Sequence, residues 1–190
     1  NYMCFDDKVN YYDLGELLDF VSNDIYPAGY WQEQPHQPDS DIAACHDVVR
    51  SYKKKPFWIM EQQAGISGWG TMARALDPGQ MSVWAMQSVA HGADAVVFFR
   101  WRACAMGTEQ YWHGILGHSG RPGRTYEEAK KLIHTFTPHM DEFEGAMPKP
   151  EVAIVHSFRQ NYAFQIQPNH PDLRYVEHLK KYYKAFYDKK

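Results

Sequence analysis

Cysteine is scarce in this chain. The three residues, Cys4, Cys45 and Cys104, are odd in number and widely spaced, which gives neither a disulfide framework nor a metal motif. A reduced compartment, and so a cytoplasmic setting, is the expectation. No apolar run is long enough to cross a bilayer, so a membrane is not expected among the partners. Positive charge is not in excess either: the formal net charge is −3. That removes the basic footprint of a nucleic-acid binder or an anionic-membrane binder. There is no internal repeat and no low-complexity segment. There is no initiator Met; Asn1 already falls inside what reads as an element, so the lack of a signal peptide says nothing about a native start. The chain reads as an internal piece of a longer protein. Its 10 histidines invite a metal reading, yet neither His-Glu-x-x-His nor Cys-x-x-Cys occurs. His113 and His118, with Glu109 nearby, fall short of the three or four converging ligands of a zinc site. The expectation is no metal and no cofactor.

What the chain does have is core material and aromatic rings. A globular chain of 190 residues can bury roughly 70% of its unfolded surface. Aromatics make up 15% of it, and several fall in loops after candidate strands: Tyr26, Tyr30, Trp31, Trp69, Trp101 and Trp112. Core packing accounts for most buried aromatics. Loop-borne tryptophans beside acids also suit stacking on sugar faces.

In chain order, Asn1–Phe5 is short and apolar. Tyr11, Leu14, Leu17 and Leu18 are at helical spacing. Asp19–Tyr26 reads as a buried strand broken by Pro27, and a helix follows from Ser40, a candidate N-cap, with Ile42, Cys45, Val49 and Tyr52 on one face. Phe57-Trp58-Ile59-Met60 is apolar without alternation, which suits a strand buried on both faces. It ends on Glu61, followed by two amides and a glycine-rich loop. Gln80–His91 is an amphipathic helix with Met81, Trp84, Ala85, Ser88 and Val89 inward and Gly92 at C′. Ala93–Trp101 is the next strand. A capping box at Thr125–Glu128 opens a helix with Ala129, Leu132, Ile133 and Phe136 inward, and Thr137-Pro138 ends or kinks it. Met147–Pro150 reads as a linker, Val152–Val155 as a fresh buried strand, and Asp172–Tyr187 as a helix. Strands alternating with helices, with acids at strand ends, give an α/β class. Four strands are too few to close an eight-stranded barrel.

Pro56-Phe57-Trp58-Ile59-Met60-Glu61-Gln62-Gln63-Ala64-Gly65 resembles the nucleophile strand of glycoside hydrolase family 42, the β-galactosidases built on a TIM barrel. Three further blocks agree in order: Leu18–Pro27, Gln87–Asp94 and Phe98–Arg102. The resemblance implies the C-terminal half of a (β/α)8 TIM barrel over residues 1–147, about strands five to eight. Residues 148–190 would then be a linker and the first strand and helix of a flavodoxin-like second domain, associated with trimer formation.

A retaining glycosidase uses two carboxyl groups roughly 5–5.5 Å apart, one as nucleophile and one as acid and then base. By resemblance Glu61 is the nucleophile, and Gln62, Gln63 and Arg100 are candidate donors beside it. The alternative for Glu61 is a helix cap or a lysine partner. Resemblance further places Trp69, Tyr26 and Phe99 around a galactose and gives Glu109 and His113 the sugar hydroxyls. Glu109 and His113 are separated by three residues, where Glu-x-x-His is common. Packing alone is the alternative for Trp69 and Phe99. The acid/base is expected upstream, so the chain by itself is expected to be inactive and the full protein to be a homotrimer acting on β-galactosides. The rival from another class is a non-catalytic sugar-binding or assembly subunit that kept the fold.

Overall fold

A computed structural model of the chain describes residues 1–28, 36–67 and 74–189. Its centre is a parallel sheet of β1 (Ser22–Ile25), β2 (Phe57–Gln63) and β3 (Ala93–Phe99), side by side in chain order. The crossovers carry α2 (Asp39–Ser51) and α3 (Gln80–Ala90), while α1 (Tyr11–Gly15) precedes β1. Parallel neighbours joined through helices are the repeating unit of a barrel wall. The N-terminal segment adds one further parallel bridge, Tyr2 to Asn23, on the free side of β1. The short apolar segment Asn1–Phe5 thus pairs through a single bridge rather than as a strand.

The helices cover one face of the sheet. Ile42, Cys45 and Val49 of α2, and Met81, Trp84 and Ala85 of α3, are buried with Phe57 and Ile59 of β2. These are the apolar positions that helical spacing predicts. Gly92 takes φ +95° just past α3, the left-handed turn expected of it. The other face behaves differently. Trp58 is 37% and Val97 44% exposed. Burial on both faces therefore fails: on that face the Phe20 ring, 4.5 Å from Trp58, covers it only in part.

Several local expectations are corrected. β2 does not stop at Glu61 but runs to Gln63. The first helix ends at Gly15, so Leu17 lies beyond it at 81% exposure. Pro38 precedes α2 without a side-chain cap, and Ser40 lies inside the first turn. α4 (Arg124–Phe136) starts after Gly123, so Thr125 caps nothing. Glu128 instead accepts a hydrogen bond from the Gly79 N–H at 3.1 Å, which ties α4 to the start of α3. Of the apolar stripe on α4 only Ala129 is buried. A 3₁₀ turn at Thr137–His139 and the short α5 (Met140–Phe143) follow, as the Thr-Pro pair predicts.

Beyond the linker, residues 152–157 carry no strand and Val155 is 87% exposed. The apolar composition is right for a strand, but among the described residues no neighbouring strand pairs with it. Two helices follow, α6 (Phe158–Ile166) and α7 (Tyr175–Tyr187). They dock on the first half of the chain. Phe158 is buried against Tyr11, Tyr12 and Tyr52. Lys180 pairs with Asp41 at 3.2 Å, and the Tyr183 hydroxyl donates to Asp47 at 2.6 Å.

Cys4 and Cys45 form a disulfide, contrary to the sequence expectation. The fold carries the N-terminal segment over α2, bringing the two Cα atoms to 5.2 Å despite 41 residues of separation. The reduced-compartment inference loses its ground there. No described helix is long and apolar enough to cross a membrane.

Candidate active site

Parallel pairing brings the C-terminal ends of the three strands to one rim, where barrel enzymes gather their functional side chains. Glu61 of β2 lies opposite Asp24 of β1, after a register shift between Asn23 and Asp24. Tyr26, just past β1, donates its hydroxyl to Glu61 Oε2 at 2.5 Å. Among the described residues Glu61 Oε1 accepts no hydrogen bond, and Glu61 neither caps a helix nor meets a lysine. The candidate donors sort differently from expectation. Gln63 bonds the Ala28 N–H, the Gly65 carbonyl and Ser67, holding loop to loop. Gln62 is fully buried with both amide atoms unpartnered. Arg100 turns to Glu109.

Sequence spacing does not single out Asp24, which lies two residues before Tyr26. Burial, and then the charge of Glu61, push its carboxyl up to about 6, against a hydrogen bond from Asn1 at 2.6 Å.

An aromatic wall stands beside this pair. The rings of Tyr26, Phe99 and Trp112 meet edge to face, with centroids 4.9 Å apart for Tyr26–Trp112, 5.8 Å for Phe99–Trp112 and 6.3 Å for Tyr26–Phe99. Trp112 is buried. It sits three residues after Glu109, the place the histidine takes in Glu-x-x-His, and that offset was its signal in the sequence. His113 turns elsewhere. Its ring packs edge-on to His118 at 5.2 Å, and the His113 backbone N–H donates to the Ile66 carbonyl in the loop after β2. Burial, and then His118, lower its pKa. The structure does not bring His113 onto the Glu109 carboxylate.

Contacts run from Glu61 through Tyr26 and Phe99 to Arg100, whose guanidinium lies 4.5 Å from the Phe99 ring centroid and donates to Glu109 Oε2. Glu109 also lines an open cavity of about 600 Å³ with Cys104, Met106 and Thr108. Trp69, Tyr30 and Trp31 lie outside the described residues. Among the described residues no group of three or more His, Cys, Asp or Glu could hold a metal ion. The arrangement is a carboxylate with one oxygen held and one open, a wall of rings, and a second carboxylate clamped by an arginine. It suits attack on a polyhydroxylated substrate that packs against aromatic faces.

Known proteins resemble the chain along nearly its whole length. Beta-galactosidase BgaA of Clostridium cellulovorans is 40% identical over 177 residues, covering 93% of this chain and 27% of the relative. Beta-galactosidase BgaH of Haloferax lucentense is 41% identical over 182 residues, covering 90% of this chain and 26% of the relative. Among solved structures, the beta-galactosidase from Bacillus circulans sp. alkalophilus superimposes with a TM-score of 0.89 at 31% identity, over 96% of this chain and 27% of that one. The chain thus spans about a quarter of the length of the relatives it matches. The sequence profile of the family described as beta-galactosidase, glycoside hydrolase family 42, matches residues 1–138, and the chain belongs to that family.

Proposed function

We propose that the protein containing this chain hydrolyses terminal β-D-galactosyl residues by double displacement, with Glu61 as the nucleophile. The observation that carries this reading is the hydrogen bond from the Tyr26 hydroxyl to Glu61 Oε2, with Oε1 left open among the described residues at the rim of the sheet. Oε1 attacks the anomeric carbon and the glycosidic bond breaks as the leaving oxygen is protonated. A galactosyl ester forms on Glu61, and water then releases it. The proton donor, later the base, is a carboxyl group contributed from outside this chain. Tyr26, Phe99 and Trp112 keep water off the open oxygen from one side, and the family resemblance assigns Trp69 to the sugar. Glu109 accepts its hydroxyls, with His113 secondary because its ring packs on His118. In this reading residues 1–147 complete the barrel, and the segment from 148 onward begins a second domain that supports a trimer.

The test uses the full-length protein and an activated 2-fluoro-galactoside. A covalent label on Glu61, found by peptide mapping, is the expected outcome. Glu61→Gln should lower kcat by several orders of magnitude. A label on another carboxylate would overturn the assignment, and sugar binding without any turnover would return the protein to a binding role.

A further inference from the structure

We propose that Arg100 is a positioning residue for the sugar-binding carboxylate, holding Glu109 Oε2 so that Oε1 is left for the substrate's hydroxyls. The inference rests on the reading of Glu109 given above.

The two residues are held very differently. Arg100 follows directly on β3, and a returning strand of loop pins its backbone. The Ile115 N–H donates to the Arg100 carbonyl at 2.7 Å, the Leu116 N–H to Trp101 at 2.7 Å, and the Ala103 N–H to Leu116 at 2.9 Å. Gly114 permits this approach, since a Cβ there would collide with the Arg100 carbonyl oxygen. Glu109 lies in a stretch with neither helix nor strand, and its side chain is 41% exposed against 18% for Arg100. A glutamate so placed has free rotamers to lose when it grips a ligand.

The guanidinium removes that freedom. It packs on the Phe99 ring, and its two terminal nitrogens reach Cys104 Sγ and Glu109 Oε2. Among the described residues Glu109 is the only carboxylate it meets, and Glu109 Oε1 makes no hydrogen bond. The planar fork fixes direction as well as charge, which an ammonium does not. Arg100 therefore presents a carboxylate already aimed, with one oxygen free at the lip of the cavity that Glu109 lines. A site that reads hydroxyl configuration needs that aim, since discrimination comes from leaving buried polar groups unpaired with the wrong substrate.

The experiment compares Arg100→Lys, Arg100→Gln, Glu109→Ala and the Arg100→Gln/Glu109→Ala double variant of the full-length protein on matched aryl galactosides and glucosides. Glu109→Ala should lower kcat/KM for the galactoside about 100-fold and erode the galacto-over-gluco preference. Arg100→Gln should approach that loss, mostly through KM, and erode the preference in the same direction. Arg100→Lys should recover part of the affinity and remain about tenfold impaired. The double variant should be no worse than Glu109→Ala, because both changes remove one interaction. Labelling of Glu61 by the 2-fluoro-galactoside in each variant tests the nucleophile independently. An unchanged preference in Arg100→Gln, full activity in Arg100→Lys, or additive losses in the double variant would overturn the proposal. An unchanged preference in Glu109→Ala would overturn the reading of Glu109 and this proposal with it, whatever the label on Glu61 shows.

Discussion

Asp47 of α2 and Glu61 of β2 are carboxylates of one small fold, in surroundings that differ in kind. Asp47 is saturated. Its Oδ1 meets His91 Nδ1 at 2.9 Å and Arg50 at 2.6 Å, and its Oδ2 accepts the Tyr183 hydroxyl at 2.6 Å. Burial alone would push this carboxyl up, but the bond and charge of His91, the Tyr183 bond and Arg50 together hold it well below the usual carboxylate range. Glu61 has the Tyr26 hydroxyl and, opposite it, the like-charged Asp24. The helical layer spends its polar groups on one another and so ties α2, α3 and α7 together. The strand rim leaves a carboxylate oxygen unspent. One arrangement stabilises the fold; the other leaves open the oxygen that the proposed function uses.

The largest way to break this contrast is to empty the saturated side. Asp47→Ala in the full-length protein would leave Arg50, whose side chain is only 11% exposed, without its carboxylate. Removing one partner of a largely buried pair strands the other charge, so unfolding free energy should fall by about 3 kcal/mol. Urea denaturation measures it, with kcat at a permissive temperature expected to stay unchanged. A loss below about 1 kcal/mol would place the pair in the class of surface ion pairs.

Acidification should act on the same region through His46. This ring is fully buried, and burial, then the charge of His91, lowers its pKa to about 3. An unfolded histidine titrates near 6.5. With the folded value below the unfolded one, the unfolded state takes up the proton first. Stability is therefore full above about pH 6.5 and declines as pH falls toward the folded value. At pH 5, one and a half units at about 1.4 kcal/mol each amounts to about 2 kcal/mol. His156, lowered to about 4 by burial, acts in the same direction. Asp47, with its depressed pKa, contributes only at lower pH, where an unfolded carboxyl begins to protonate near 3.9. Urea midpoints at pH 7 and pH 5 should separate less in His46→Gln than in the parent. Equal separation would mean that the ring is not held neutral.

The same division explains what could be read in advance. The inward faces of α2 and α3 were legible because each apolar stripe meets the sheet it was spaced for. The stripes at Leu14–Leu18 and on α4 have equally clear spacing, yet Leu17 and Ile133 are exposed. Periodicity reports which face could be covered and says nothing about whether a cover is present. Val152–Val155 has the composition of a strand and lacks a neighbour. The Cys4–Cys45 bond could not be read from spacing, since only the crossing of the N-terminal segment over α2 brings the two together. At the rim, Glu61, Tyr26 and Phe99 came from the family resemblance, and the fold places Tyr26 on Glu61 and beside Phe99. Asp24 was not legible, because its significance depends on a register shift that puts it opposite Glu61. Arg100 stood out as a donor, but its choice of Glu109 over Glu61 is a matter of loop geometry.

The smallest expected effect is the sharpest probe of the rim. Tyr26→Phe removes the one hydroxyl that bonds Glu61 among the described residues and keeps the ring that packs against Phe99 and Trp112. A hydrogen bond to a charged group contributes about 1.5–3 kcal/mol. Glu61 is half-buried rather than enclosed, so water can replace part of that bond and the lower end applies. The full-length variant should therefore lose about tenfold in kcat, with KM and thermal stability close to the parent. The loss should appear in the first chemical step, because the hydroxyl holds one oxygen of the attacking carboxylate while the other forms the bond. Labelling by the 2-fluoro-galactoside should slow by the same factor and still end on Glu61. An unchanged labelling rate with a lowered kcat would move the effect of Tyr26 to the release step. An unchanged rate and an unchanged kcat would mean that the hydrogen bond orients nothing, and the contrast with the saturated Asp47 would lose its meaning for catalysis.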